Sequence, residues 1–283
     1  MLLYPNPKRD INYDTTRRVA ALLREIGLTP LKDDSVPSTV EAVSVSPEEG
    51  IARADLLITL GGDGTILHVA FAAANAKKPI LGINMGKVGF MAEIEKDEIE
   101  LLRGLVSLPL RLDSRMMLDV RVERAEKEIY TGLSLNEAVI TNGRIARTVR
   151  VDLWADDHYL TRLNGDGIII CTPTGSTAYS MAAGGPIVEP QSDNITITPI
   201  CAYALYAKSF VLAPERHVTV QNVGAEEESA YLTIDGIPAL PMEESDRLLV
   251  RKSEYRCDLV NLKNRNFYDI IADKLGGQAL SVR

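Results

Sequence analysis

Cysteine is scarce in this chain: Cys171, Cys201 and Cys257 are the only three in 283 residues, and none forms a C-x-x-C pair. A sparse, odd count argues against a disulfide framework and favours a reducing cytoplasm. Long hydrophobic runs are missing too. No apolar stretch approaches the roughly 20 residues of a membrane helix. The opening MLLYPNPKRD lacks a charged segment leading into a long apolar core, so no signal peptide is expected. Nor is there an excess of positive charge. The net charge of −8 argues against a general nucleic-acid surface or an anchor to an anionic membrane. Three histidines, His68, His158 and His217, share no ligand-type spacing with one another or with a cysteine, which argues against a structural zinc site. What remains is an ordinary soluble composition, 46% apolar and 25% charged, on a chain long enough for one or two domains.

The first part of the chain alternates strand and helix signals. Leu2-Leu3-Tyr4 reads as a short strand ended by Pro5-Asn6-Pro7, and Val19, Leu22, Leu23 and Ile26 recur at helical spacing before Gly27, a C-cap glycine. Ser46-Pro47-Glu48-Glu49 reads as a helix start. "DLLITL" (55–60) and "PILGIN" (79–84) are apolar without alternation, as strands buried on both faces should be. "TILHVAFAAANA" (65–76) and "KDEIELLRGLVS" (96–107) read as helices. Strands separated by helices imply a parallel, Rossmann-like sheet in an α/β domain over residues 1–110. Beyond it the period changes to two: Leu118, Val120 and Val122, then Val149, Val151 and Leu153, Ile195 and Ile197, Val218 and Val220. That pattern predicts an antiparallel, β-rich domain over residues 111–265. Phe267, Ile270 and Ile271 return to helical spacing, so residues 266–283 are expected as a C-terminal helix packing back on the body.

Four stretches carry candidate chemistry. "ITLGGDGTILHVA" (58–70) places Asp63 among glycines at the carboxyl end of a buried strand, where open parallel sheets collect ligands. The dinucleotide fingerprint fails because Leu67 stands where its last glycine belongs, and the phosphate loop fails for want of its lysine. Asp63 reads either as an N-cap or as the acid of a phosphoryl-transfer site whose glycine amides hold phosphate. "GINMGKVGF" (82–90) offers Gly86, Gly89 and the ring of Phe90, which reads as a core aromatic or as a ring against a base. In "LSLNEAVIT" (133–141), Asn136 and Glu137 are either polar residues of a strand entry or an amide and a carboxylate for ribose or adenine. "GDGIIICTPTGSTAYS" (165–180) surrounds an apolar core with Asp166 on one side and Thr172, Thr174, Ser176, Thr177 and Tyr179 on the other. That density of hydroxyls suits the ribose and base edges of a nucleotide. His68, about one helical turn past the glycine loop, reads either as a satisfied or solvated helix residue or as one facing the site, "EEES" (226–229) as a solvated loop, and Asp235-Gly236 as a hairpin turn.

The order of these stretches is more specific than any one of them. GGDGT, N-x-G-x-x-GF, NE, DG-x-x-x-x-TPTGSTAY and a late IDG resemble the motif series of the ATP-NAD kinases over about residues 55–240. The resemblance implies transfer of the terminal phosphoryl group of ATP, or of polyphosphate, to the 2′-hydroxyl of NAD's adenosine ribose. It further implies magnesium or another divalent metal, and a homodimer or homotetramer. By position, Asp63 matches the acid facing the acceptor hydroxyl, and Gly61, Gly62, Gly64 and Thr65 match the phosphate-contacting loop. Asp63, Gly64, Phe90, Asn136, Glu137, Asp166, Thr174, Thr177, Ala178 and Tyr179 match contacts to NAD, which makes 111–265 the NAD-binding domain. The chain departs from the pattern at Asn164, at Ala202-Tyr203, at Lys208-Ser209 and at Ile237. Two other readings stay open: a lipid kinase of the diacylglycerol or sphingosine type, since GGDGT occurs there too, and a non-catalytic nucleotide sensor.

Overall fold

The computed structural model describes residues 1–86, 89–107, 109–143, 147–203, 207–224, 230–263 and 266–276. They divide into two compact units, Met1–Ser114 joined by the chain from Cys257 onward, and Arg115–Arg256.

The first unit is built on parallel strands: β1 (Leu2–Pro5), β2 (Leu31–Asp33), β3 (Val43–Val45), β4 (Leu57–Gly61), β5 (Ile80–Asn84) and the short β6 (Ile94–Glu95). Their order is β5-β4-β1-β2-β3, with β6 parallel beside β5. β4 and β5 are buried at every position, which explains their unbroken apolar runs. Three helices cover this sheet: α1 (Asp14–Glu25), α2 (Pro47–Arg53) and α3 (Asp63–Asn75). α1 ends in a Schellman motif: the Gly27 amide donates to Arg24 O (3.0 Å) and the Leu28 amide to Leu23 O (2.8 Å). Gly27 sits at φ +79°, which explains the glycine there. Ser46 caps α2, its Oγ accepting from the Glu49 amide at 3.3 Å.

Two local expectations change. The stretch read as a helix over 96–107 forms 3₁₀ turns over Ile99–Val106, not an α-helix. The reason lies in spacing: Ile99, Leu102 and Leu105 are the buried positions, and a strict interval of three is the side-chain period of a 3₁₀ helix. α3 begins at Asp63, and Gly62 is its N-cap. The N-cap reading of Asp63 therefore fails.

The strand order carries the functional consequence. From β1 the chain moves outward to β2 and β3, then returns to β4 and continues to β5 on the other side. The sheet reverses between β1 and β4, and ligands of open α/β sheets bind outside the carboxyl ends of strands at such a switch point. The loops leaving those two strands begin at Asn6 and Gly62.

The second unit is a sandwich. One sheet runs β8 (Lys127–Ser134), β7 (Arg111–Arg124), β18 (Arg247–Asn261), β15 (Val218–Asn222), β10 (Val149–Ala155), β11 (His158–Gly165). The other is antiparallel throughout: β14 (Phe210–Leu212), β13 (Ile195–Ile200), β12 (Gly167–Cys171), β9 (Glu137–Asn142), β16 (Ala230–Ile234), β17 (Ile237–Met242). The alternating residues read from the sequence, Leu118, Val120, Val122, Val149, Val151, Leu153, Val218 and Val220, meet in one core between the sheets. β12 and β13 are buried at every position, because Ile169, Cys171 and Ile200 form a second cluster with Val139 on the other face. Ala183, just past the short α4 (Tyr179–Ala182), packs against that cluster. The unit ends at Arg256, since Leu259 pairs in parallel beside Ile80 and Val260 joins the first unit's core. α5 (Phe267–Gly276) follows, with Phe267, Ile270 and Ile271 half-buried. The stretch 226–229, read from the sequence as a solvated loop, lies outside the described residues.

Candidate active site

The glycine loop is held from three sides. Gly61 O accepts from the Met85 amide at 2.6 Å, the Thr65 amide donates to Gly62 O at 2.8 Å, and Thr65 Oγ1 accepts from the Gly62 amide at 3.4 Å. Asn6, in the loop after β1, donates through Nδ2 to the same Oγ1 at 3.4 Å, which links the two loops of the switch point. Gly62 and Gly64 face open space, so their backbone is approachable.

Asp63 does not project freely. Its Oδ2 accepts from the Phe90 amide at 2.7 Å, and Oδ1 from the amides of Met91 (3.2 Å) and Ala92 (3.3 Å). The motif glycine Gly89 makes this seat possible, because a Cβ there would lie 2.0 Å from Asp63 Oδ1. A carboxylate offers about four lone-pair directions; three donors fix its orientation and leave room for one more. Gly89→Ala is therefore expected to dislodge Asp63 and cut kcat about a hundredfold, the scale of an ångström's misplacement. An unchanged kcat in steady-state assays would refute that seat. Phe90 is half-buried, so its backbone holds Asp63 while its ring is partly open. Asn84 is buried and accepts the Gly86 amide at 3.1 Å while donating to Glu95 at 2.9 Å, which fixes the entry to this loop. Lys87 and Val88 lie outside the described residues.

In the second unit, Asn136 immediately precedes β9 and Glu137 opens it, and both are 6% exposed. Asp235, at the β16–β17 turn, organises them: its carboxylate accepts from Ser134 Oγ (2.7 Å) and from the amides of Leu135 (2.8 Å), Asn136 (2.8 Å) and Glu137 (3.0 Å). Asp235-Gly236 is the expected hairpin turn, with φ of +51° and +76°. Thr172 completes the frame, its hydroxyl donating to Leu135 O at 2.6 Å and its amide to Asn136 O at 2.9 Å. Yet Asn136 Oδ1 and Glu137 Oε2 are buried with no hydrogen-bond partner among the described residues. Buried polar atoms without partners are costly, and here two of them lie on adjacent residues. They suit a ligand that brings N–H or O–H donors.

The cost appears in the titration of Glu137. Burial first, then the negative Asp235, push its carboxyl up to about 8. Burial raises Asp235 as well, against its four donors. Between the ordinary carboxylate range and pH 8 the folded protein keeps a proton that the unfolded chain releases, so stability declines as pH rises through that window. Glu137→Gln is expected to flatten the decline, so that its melting temperature falls less than the parent's between pH 5.5 and about 8.5. Parallel melting curves would contradict the assignment.

The hydroxyl-rich loop follows β12. Thr174 is buried, and its Oγ1 accepts from Arg115 Nη1 at 3.2 Å. Thr177 donates to Thr174 O at 3.1 Å, and Ser176 Oγ to Pro173 O at 2.7 Å. These hydroxyls thus shape their own loop. Ala178 is half-buried, and Tyr179 at the start of α4 is 44% exposed. Cys171 pairs with Glu137 across β12 and β9, so the NE pair and the hydroxyl loop share one end of that sheet. Asp166, exposed, lies at the other end of β12, about 15 Å away at the rise of a strand. His68 is exposed on α3, as read. Asn164 and Lys208 are exposed, and Ile237 is 47% exposed, so these departures sit at the surface. Sequence reasoning missed Asn6, Arg115 and the carboxylate role of Asp235. Asn6 could have been found from its place after the first strand; nothing marked Arg115.

The profile of the ATP-NAD kinase N-terminal domain matches residues 3–106, and that of the ATP-NAD kinase C-terminal domain matches residues 135–262. The chain belongs to this family. It is accordingly a phosphotransferase, and neither a lipid kinase nor a non-catalytic sensor is supported. Among its relatives, the NAD kinase of Acetivibrio thermocellus is 34% identical over 99% of this chain and 98% of its own. The NAD kinase of Caldanaerobacter subterraneus is 36% identical over 96% of each chain. Yeast NADH kinase, solved with NADH, superimposes with a TM-score of 0.86 at 25% identity, over 98% of this chain and 86% of that one. An NAD kinase from Archaeoglobus fulgidus, solved with ATP, shares the fold at a TM-score of 0.73 and 24% identity, over 96% of each chain.

Proposed function

We infer that this member of the family moves the terminal phosphoryl group of ATP to the 2′-hydroxyl of NAD's adenosine ribose, with Asp63 aligning that hydroxyl. The observation that carries the role of Asp63 is its seat: three amides hold the carboxylate still and leave an acceptor direction for one hydroxyl. An acid fixed in this way orients the nucleophile, which is most of what phosphoryl transfer asks of a protein. The open space at Gly62 and Gly64, with Gly61 and Thr65 framing it, receives the donor's phosphates at the start of α3. Asn136 Oδ1 and Glu137 Oε2 take the donors of the adenosine end, and Thr174, Thr177, Ala178 and Tyr179 line its surroundings. Asp166, at the far end of β12, meets the nicotinamide end, a separation that suits an extended dinucleotide.

A divalent ion belongs to such chemistry, where it neutralises charge on the phosphates. Among the described residues no three His, Cys, Asp or Glu side chains form a group able to hold one. The carboxylate nearest the phosphate loop, Asp63, is already engaged by three amides. Among the described residues there is thus no ready cage, and magnesium would be carried by the phosphates of the donor, its usual partners. A homodimer or homotetramer in the cytoplasm completes the reading, supported by the family resemblance and the sparse cysteines. No helix among the described residues is long and apolar enough to cross a membrane.

Purified protein incubated with NAD and magnesium is expected to yield NADP with ATP or with polyphosphate, read by a strictly NADP-dependent dehydrogenase. Phosphorylation of dispersed diacylglycerol in place of NAD would overturn the reading.

A further inference from the structure

The loop after β12 carries hydroxyls at Thr172, Thr174, Ser176 and Thr177, and three of the four use their proton within the protein. Thr172 donates to Leu135 O at 2.6 Å and accepts from the Gly175 amide at 3.0 Å. Ser176 donates to Pro173 O at 2.7 Å and accepts from the Val188 amide at 3.0 Å. Thr177 donates to Thr174 O at 3.1 Å. Thr174 differs. Its Oγ1 accepts from Arg115 Nη1 at 3.2 Å, and no acceptor for its own proton lies among the described residues.

The roles in that bond cannot be exchanged. A guanidinium carries donors and no acceptor, so the Thr174 proton must point away from Arg115. Both residues are buried, and a buried donor without an acceptor is costly. The position of this donor gives it a use. Thr174 precedes Gly175, whose backbone lies so close to Asn136 that a Cβ would fall 2.2 Å from Asn136 O. Asn136 Oδ1 and Glu137 Oε2 are the buried oxygens without partners at that strand entry. A hydroxyl donor on one segment thus accompanies two such oxygens on the other. Adenine brings the complement, ring nitrogens that accept beside an amine that donates.

We propose that Arg115 is a positioning residue for the dinucleotide: it holds Thr174 Oγ1 as an acceptor and so turns the Thr174 hydroxyl proton toward an acceptor on the adenosine end of NAD. The inference rests on the NAD-binding reading above and extends it to a residue that acts through Thr174. Without the guanidinium the hydroxyl is free to donate within its own loop, as its neighbours do.

A double-mutant cycle tests it. Arg115→Met and Thr174→Val remove the two ends of the bond while keeping side chains of similar size. Each is expected to raise KM for NAD about tenfold, the scale of one lost hydrogen bond, with kcat and KM for ATP within about twofold. The double variant is expected to match either single one, where independent sites would multiply to about a hundredfold. Arg115→Lys, which keeps a donor, is expected to stay within about threefold of the parent. Effects that multiply, or a lysine variant as impaired as Arg115→Met, would overturn the proposal. Should Arg115→Met not fold, Thr174→Val alone decides, because a normal KM for NAD there overturns it too. If the unmodified protein makes no NADP from NAD and ATP, the parent reading fails instead. Equilibrium titration of the same proteins with NAD would then still report whether Arg115 and Thr174 act as one.

Discussion

Asp63→Asn is expected to lower turnover about a thousandfold, within the range for a positioned acid or base, while NAD affinity stays within about threefold. The substitution keeps the size of the side chain but turns one acceptor oxygen into an NH₂ group. That group faces amides that are donors themselves, those of Phe90, Met91 and Ala92. Whichever way the Asn side chain turns, it meets a donor with a donor and ceases to offer a well-aimed acceptor to the hydroxyl. Most positions proposed to contact NAD are other residues, so the effect is expected in kcat. Steady-state NADP formation together with an equilibrium NAD titration measures both quantities. Loss of NAD binding with turnover per bound substrate intact would defeat the role given to Asp63.

Asp235→Asn is expected to be the most damaging change in the second unit. One carboxylate there accepts four hydrogen bonds and fixes Ser134 through Glu137. An amide has a single acceptor oxygen and brings two donors into a nest of donors. Breaking a buried, charge-assisted network of this kind costs about 3 kcal/mol or more, which corresponds to a fall in melting temperature of about 10 °C. The same change frees the turn that holds Asn136 and Glu137, so KM for NAD rises at least about tenfold. Thermal melts and steady-state kinetics on one preparation test both consequences. A variant that melts like the parent and keeps its KM would show that Asp235 closes a hairpin and nothing more.

Much of the architecture is written in local pattern. The buried runs of β4 and β5, the alternation along β10 and β15, and the Gly27 C-cap follow from period and from glycine chemistry, each set by neighbours in sequence. The 3₁₀ turns at Ile99–Val106 misled because three apolar residues at intervals of three satisfy a helical template as well. The site was legible as a list of residues but not as a set of contacts. Nothing in "GGDGT" announces that Asp63 is seated on amides 27 to 29 residues later, or that Gly89 exists to admit its carboxylate. Asp235 reads as a turn residue by its own neighbours, and its carboxylate reaches Asn136 across 99 positions. The contacts of Asn6 and Arg115 are made by tertiary approach alone. The hydroxyls of 172–177, which look aimed at a ligand, first shape their own loop.

The most direct test follows one phosphorus atom. Protein incubated with NAD, magnesium and ATP labelled in the terminal phosphate should transfer that label to the dinucleotide. The labelled product should then be reduced by a strictly NADP-dependent dehydrogenase, and the Asp63→Asn variant should give it only in trace. Label that remains in ATP or inorganic phosphate while NAD stays bound and unchanged would contradict the account.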